Sequence, residues 1–272
     1  MRSNIRTLAP IVLLTLVLTP IAAQAGVLRV CSDPNNLPFS NRNGEGFENK
    51  IANLVAHDLG DRVEYTFAAQ HETFIKRTLN IHKCDVAMGV PAGMNDVDET
   101  QPYYASTYVF VYRKNDGFHL TSLIDPRLRK LKIGVHLIGD GDTPPELALG
   151  QQGIVDNVSG FMIYGDYSKP NPPARLIEAV EQRNIDVAAV WGPLAGYFAK
   201  RSPVALTVTP MTDTRRFKPL VFRFAIAMGV RKGDDALRVQ LDGAISKERP
   251  AILNILEFFG VPLVKLKGGF DG

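Results

Sequence analysis

Apolar positions along the chain fall into two alternating kinds of segment. Short apolar runs at 27–31 (VLRVC), 85–90 (DVAMGV), 132–136 and 186–190 (DVAAV) read as strands buried on both faces. Val63, Tyr65 and Phe67 alternate with polar residues and mark another strand; 161–164 and 204–208 complete the set. Between these runs the apolar residues take helical spacing. Phe47, Ile51, Leu54, Val55 and Leu59 share one face, and Gly60 stands where a helix ends. Phe74, Ile75, Thr78 and Leu79 suit a short helix. Thr143-Pro144-Pro145-Glu146 has capping-box spacing with proline at the first helical position, predicting a helix to about 152. Pro173 opens a helix with Leu176, Ile177 and Val180 inward, and Pro193 opens another ending near Lys200. Leu237, Leu241 and Ile245 follow Gly233-Asp234. Ile252, Leu253, Ile255, Leu256 and Phe259 follow Pro250 and stop at Gly260 and Pro262.

Alternating strands and helices predict parallel sheets with helices on both faces. Two long β-branched and aromatic runs break the alternation: 106–113 (STYVFVYR) and 222–231 (FRFAIAMGVR). They are read as antiparallel hinge strands joining two α/β lobes. Lobe 1 comprises 26–112 and 223–272, and lobe 2 comprises 113–222, with the last helices packing back on lobe 1. No internal repeat emerges. Ligands of such sheets lie beyond the strand carboxyl ends, so the loops after Cys31, Val90, His136 and Val190 should face a central cleft.

The first 25 residues are read as an export signal and not as part of the fold. Arg2 and Arg6 precede an apolar stretch, 8–21, and Ala23-Gln24-Ala25 is a small-x-small cleavage site. The stretch is shorter than the ~20 apolar residues of a spanning helix, and the expected location is periplasmic. The whole chain has 31 basic and 28 acidic residues; loss of Arg2 and Arg6 leaves 29 against 28. A charge near zero, with no basic block, gives no support for a nucleic-acid or membrane-surface partner. Cys31 ends the first strand and Cys84 begins the third. An oxidising compartment and a 2-1-3 strand order allow them to pair, the other reading being two buried thiols.

The order of segments LRVCSDPNNLPF, GFENKIANLVAHDL, KCDVAMGV, PYYAS, IDVAAVWGPLAGYF and AIAMGVRKGDD resembles the type 2 periplasmic binding proteins, in particular the family 3 solute receptors of ABC importers. The resemblance implies the two-lobed fold over nearly the whole mature chain. Amino-acid receptors of that family usually carry an Arg shortly before the PYY segment, to hold the ligand carboxylate. Here 91–101 (PAGMNDVDETQ) has no Arg or Lys. They usually carry an Asp after the DxxxV strand, for the ligand amino group, where this chain has Trp191. A buried carboxylate without a cation is costly, so amino-acid capture is not expected. A narrower likeness is to the XoxJ/MoxJ-type proteins, through SDPNNLPFSNRNGEGFENKIA, CDVAMGVPAG and PYYASTYVFVYR. It implies an accessory that binds a PQQ-dependent methanol dehydrogenase and assists its maturation or activation. XoxJ partners the lanthanide-dependent enzyme and MoxJ the calcium-dependent one; the reading leans to XoxJ on stretches that both types share. The alternative is an importer receptor for a small molecule that is not an amino acid.

Asp33, Asn35, Asn36, Phe39, Pro91, Tyr103, Tyr104, Thr143 and Trp191 are the candidate cleft residues. Asp33, Asn35 and Asn36 equally suit turn chemistry. Phe39 equally suits a core. Tyr103 and Tyr104 face opposite sides if both are on a strand. Thr143, opening a helix, could hold an anion. Trp191, the single Trp, could anchor a partner or fill space left by an unneeded ligand. The five His residues are scattered. Asp140, Asp142 and Glu146 lack the calcium-loop pattern, and capping explains the last two, so no metal and no cofactor are expected. No G-x-S-x-G or P-loop occurs. The dehydratases that share this fold act on carboxylates, which the missing Arg disfavours, so an enzyme is not expected.

Overall fold

The structure is a computed structural model that describes residues 26–138, 141–162 and 170–265. The predicted leader, Gly139 and Asp140, the end of the predicted 161–164 strand, and the tail from 266 lie outside the described residues. In lobe 1, β1 (Gly26–Ser32) pairs in parallel with β4 (Asp61–Phe67) and with β5 (Val86–Pro91), the predicted 2-1-3 order. Between β1 and β4 lie β2 (Asn35–Asn36), β3 (Ser40–Asn41) and α1 (Phe47–Asp58). A short α2 (Phe74–Arg77) precedes β5, and β6 (Asp98–Glu99) follows it.

The organising strand is β7 (Tyr104–Arg113), all ten residues of which are buried. It begins two residues before the predicted hinge. Lobe 2 adds β8 (Ile133–Leu137), α3 (Pro144–Gly150), β9 (Val158–Met162), α4 (Arg175–Glu181), β10 (Val187–Trp191), α5 (Gly192–Arg201) and β11 (Leu206–Pro210). The chain returns through β12 (Arg223–Val230) and closes with α6 (Asp235–Lys247) and α7 (Arg249–Phe258). One continuous sheet runs β4-β1-β5-β12-β7-β10-β8-β9, with β6 also on β12 and β11 also on β7. β9 starts three residues earlier than the sequence predicts. It is a sheet-edge strand with no fully buried residue, and Ser159 and Gly160 separate Val158 from Phe161 and Met162, so only its end carried a continuous apolar signal.

β7 belongs to both halves of this sheet. Tyr104 to Thr107 pair antiparallel with β12, whereas Tyr108 to Tyr112 pair with β10. The cores divide at the same place. Val30, Phe47, Ile51, Ile226, Leu241 and Ile252 belong to one; Phe110, Ile133, Leu149 and Val187 belong to another. α6 and α7 join the first, packing on α1. Each hinge strand leads into an anchored arginine. Arg113, 3% exposed, bridges Asp116 at 2.6 Å and donates to the Ile185 carbonyl. Arg231 bridges Asp85 at 3.2 Å and Asp234 at 3.4 Å.

Cys31 and Cys84 form a disulfide with Cα atoms 5.5 Å apart. The elements that carry them are neighbours: Cys31 lies opposite Ala87, and Cys84 ends the loop entering β5.

Closing a loop between residues 53 apart should stabilise the chain by roughly 4 kcal/mol on the chain-entropy model. The Cys31→Ser/Cys84→Ser double variant should lose most of this, read from urea unfolding; an unchanged midpoint would show the bridge to be dispensable. Arg113→Met removes one of the two arginines on Asp116, leaving Arg183, and takes the donor from the Ile185 carbonyl. It should cost about 1–3 kcal/mol in the same assay, against below 1 kcal/mol if the pair is effectively solvated.

Candidate functional site

The loop after β1 is shaped by its own polar groups. Asp33 Oδ1 accepts from the Asn35 N–H at 2.8 Å, and its Oδ2 accepts from the Gln70 N–H at 2.9 Å. Asn49 Oδ1 accepts from the N–H groups of Asn41 and Gly46, which ties this loop to the start of α1. The loop thereby delivers Asn36 and Phe39 to the space between the lobes. From lobe 2 come His136 and Ile138 at the end of β8, Trp191 at the end of β10, and Leu194 on α5. Tyr104 and Tyr108 on β7, with Phe224 and Ile226 on β12, contribute from the hinge.

These residues enclose a cavity of about 250 Å³, completed by Glu48, Gln70, Gly89 and Pro91. A neighbouring hollow of about 280 Å³ shares Gln70, Gly89, Pro91 and Ile138 with it. The lobes meet at the rim, where the Asn171 N–H donates to Asn35 Oδ1 at 3.2 Å. Six of the fourteen lining residues carry aromatic rings. Trp191 lies 5.3 Å from Tyr108 and 5.7 Å from Phe224, and His136 stacks on Tyr108 at 5.8 Å.

Of the residues singled out from sequence, the cavity brings together Asn36, Phe39, Pro91, Tyr104 and Trp191. Asn35 stands at the rim. Asp33 is buried and its carboxylate is used in turn chemistry. Tyr103 is turned into lobe 1, its hydroxyl accepting from the Gly89 N–H at 3.1 Å. Thr143 does not line the cavity. It starts α3, where Glu146 accepts from its N–H at 3.5 Å, and its own hydroxyl is buried without a partner. Among the described residues, no group of three or more His, Cys, Asp or Glu is placed to hold a metal ion.

Sequence reasoning missed Glu48, Gln70, Tyr108, His136 and Phe224. For Glu48 a signal existed: four and seven residues on lie Ala52 and Val55, so an acid sits on the inward stripe of α1. For His136 the signal was a polar residue at the carboxyl end of a buried strand.

Among the described residues no Arg, Lys or Asp lines the cavity, and burial shifts both Glu48 and His136 towards their neutral forms. Glu48 is 3% exposed; burial, helped by the Asp33 charge, pushes its pKa up to about 8, with no hydrogen bond to offset them. Its carboxyl lies against Gly89, where a Cβ would collide with Oε1. Gly89 also has φ of 71°, so glycine is required there twice over. His136 is 1% exposed, and burial lowers its pKa to about 4.

The geometry defines a two-lobed binding protein with a small, largely apolar cavity between its lobes. Comparison with known proteins agrees: residues 28–250 match the family of bacterial extracellular solute-binding proteins, family 3, and the chain belongs to that family. Within it, this is a binding protein of the MoxJ/XoxJ type. It is 30% identical to protein MoxJ of Methylorubrum extorquens AM1, over 95% of this chain and 96% of that protein. The crystal structure of the periplasmic binding protein XoxJ from Methylobacterium extorquens AM1 is 34% identical, with a TM-score of 0.72 over 88% of this chain and all of that one. That of MxaJ from Methlophaga aminisulfidivorans is 26% identical, with a TM-score of 0.77 over 87% of this chain and all of that one. No helix among the described residues is long and apolar enough to cross a membrane.

Glu48 and His136 give stability an asymmetric pH dependence. Glu48 binds its proton more tightly in the folded chain, so stability falls as pH rises from about 4.5 to about 8. His136 binds its proton less tightly when folded, so stability rises between about 4 and 6.5. The two slopes offset one another below pH 6.5, and above it only that of Glu48 remains. Stability should fall by roughly 2 kcal/mol between pH 6.5 and 8, and Glu48→Gln should flatten that decline. Urea midpoints across this window test it; a flat wild-type profile would mean that Glu48 is ionised throughout.

Proposed function

We propose that the protein is a periplasmic accessory factor that binds a PQQ-dependent methanol dehydrogenase, on the lanthanide-dependent side of that group, and assists its maturation or activation. The observation that carries this reading is the loss of the amino-acid clamp. Among the described residues the cavity wall has no Arg or Lys for a carboxylate, and Trp191 stands where the family places an acid, packed on Tyr108 and Phe224. The carboxylate of a zwitterion would find no cationic partner among them. The likeness to MoxJ over nearly the whole of both chains supports the same reading. An importer receptor for an uncharged solute is the second reading, favoured by the enclosure of the cavity between the lobes.

A partner loop or terminus reaches Trp191 only when the lobes part and the Asn35–Asn171 contact opens. Trp191 then becomes a large apolar anchor at the base of the cleft, of the kind that dominates interface energetics.

Size exclusion with light scattering tests the reading, using the mature protein mixed with the dehydrogenase of the same organism, with and without its PQQ and metal. A complex is expected, and preference for the cofactor-free form would mark maturation as the step assisted. Trp191→Ala should weaken that complex by ~2 kcal/mol or more. No complex with either form at low salt would move the function to solute capture. An unchanged affinity in the variant would remove Trp191 from the interface.

A further inference from the structure

Two polar groups in the aromatic cavity are left without partners by the protein itself. Asn36 is 1% exposed; its amide nitrogen lies 3.4 Å from Gln70 Oε1, and its Oδ1 has no hydrogen-bond partner. His136 is equally buried, and its Nδ1 has none. The Glu48 carboxyl also faces this space. Asn36 and Glu48 belong to lobe 1 and His136 to lobe 2. Buried polar groups are nearly always paired, and leaving one unpaired costs about 1–3 kcal/mol. Finding such groups on both sides of one cavity points to an occupant that joins them.

We infer that the closed cleft holds a small uncharged molecule bearing several hydroxyl groups, of the polyol or single-sugar class, bound by Asn36 and Glu48 from one lobe and His136 from the other. This inference rests on the reading of the cleft as a site that does not take amino acids. The chemistry selects the class. Asn36 Oδ1 needs a donor. Glu48, protonated at neutral pH, offers a donor, and neutral His136 presents an acceptor or a donor according to its tautomer. A hydroxyl can give and accept at once, so it satisfies each of them. Carboxylates and phosphates would meet no Arg or Lys among the described cavity-lining residues, and an ammonium group would have to draw the proton from Glu48. The faces of Phe39, Tyr104 and Trp191 suit the C–H faces of a ring or a short carbon chain. A space of about 250 Å³ has room for a small molecule of this class. Bridging the lobes, the ligand would hold the cleft shut. Ordered water alone is the competing occupant.

Trp191 is the only Trp and lies in the cavity wall, so its fluorescence reports occupancy directly. The mature protein is titrated with glycerol, erythritol, xylitol, myo-inositol and glucose, and in parallel with alanine, succinate and phosphate. A saturable change in emission is expected for at least one uncharged compound at millimolar concentration or below, and for none of the charged ones. Asn36→Leu and His136→Phe, each checked for a native circular dichroism spectrum, should each raise the dissociation constant at least tenfold. The inference is overturned if no uncharged compound gives a saturable signal, which leaves water as the occupant. It is overturned also if both folded variants bind as the wild type does, which places the compound elsewhere, or if a charged compound binds as well. Complex formation with the dehydrogenase is scored separately and without polyol. A missing signal with an intact complex overturns only the ligand, and a missing complex with an intact signal overturns only the accessory role.

Discussion

The whole structure depends on β7 being shared. An ordinary strand serves one sheet, and its two ends do the same work. In β7 the first four residues complete the ladder of lobe 1 through β12, and the next five complete that of lobe 2 through β10. Its ten residues are buried along their full length, so it cannot slip without exposing both cores. Side chains four apart on a strand share a face, and this places Tyr104 and Tyr108 on the cavity wall from the two lobes in turn. The cavity and the hinge are therefore made of the same residues. The arginines Arg113 and Arg231 fix the far ends, one in each lobe, which leaves lobe movement to the crossing itself.

A second tie runs outside the sheet. α5 begins immediately after Trp191 and meets the end of lobe 1 where Gly196 lies against the Gly260 carbonyl. A Cβ at Gly196 would strike that backbone oxygen, so the close approach needs glycine. Tyr197, one residue on, stacks on Phe259 at 5.5 Å, and Arg201 lies 3.7 Å over the Tyr197 ring. Trp191 is thus held at the root of a helix whose flank is fixed to the opposite lobe. An aromatic side chain there does more than replace a ligand-binding acid. It joins Tyr108 and Phe224 of the two hinge strands into one apolar layer. The layer lowers the local polarity that Glu48 and His136 experience, and the same burial holds both groups neutral. Loss of charge recognition and growth of the aromatic layer are two aspects of one change.

The frame was legible because it is written in local periodicity. Strand–helix alternation located β1, α1, β5, β10, α5, α6 and α7 to within a few residues, and the two long β-branched runs located the hinge. Strand order allowed the disulfide without requiring it, and the structure forms it. The cavity was only half legible, for a physical reason. Phe39, Tyr104 and Trp191 stand out as large residues near strand ends, whereas Glu48 and His136 resemble ordinary surface chemistry until their neighbours are known. Glu48 is an acid in a first helical turn, where acids are normally exposed and favoured by the helix dipole. What makes it exceptional is Gly89, forty-one positions later, which admits its carboxyl to the interior. His136 becomes exceptional through Tyr108, on a strand that it meets only across β10. Tyr103 and Tyr104 show the converse. Adjacent in sequence and in edge contact at 5.1 Å, they differ in role because one hydroxyl takes the Gly89 N–H and the other ring reaches the cleft. Periodicity assigns a residue to a face of its own element. Its chemical role here is decided by which face of a distant element it meets, and that is fixed by the crossing at β7.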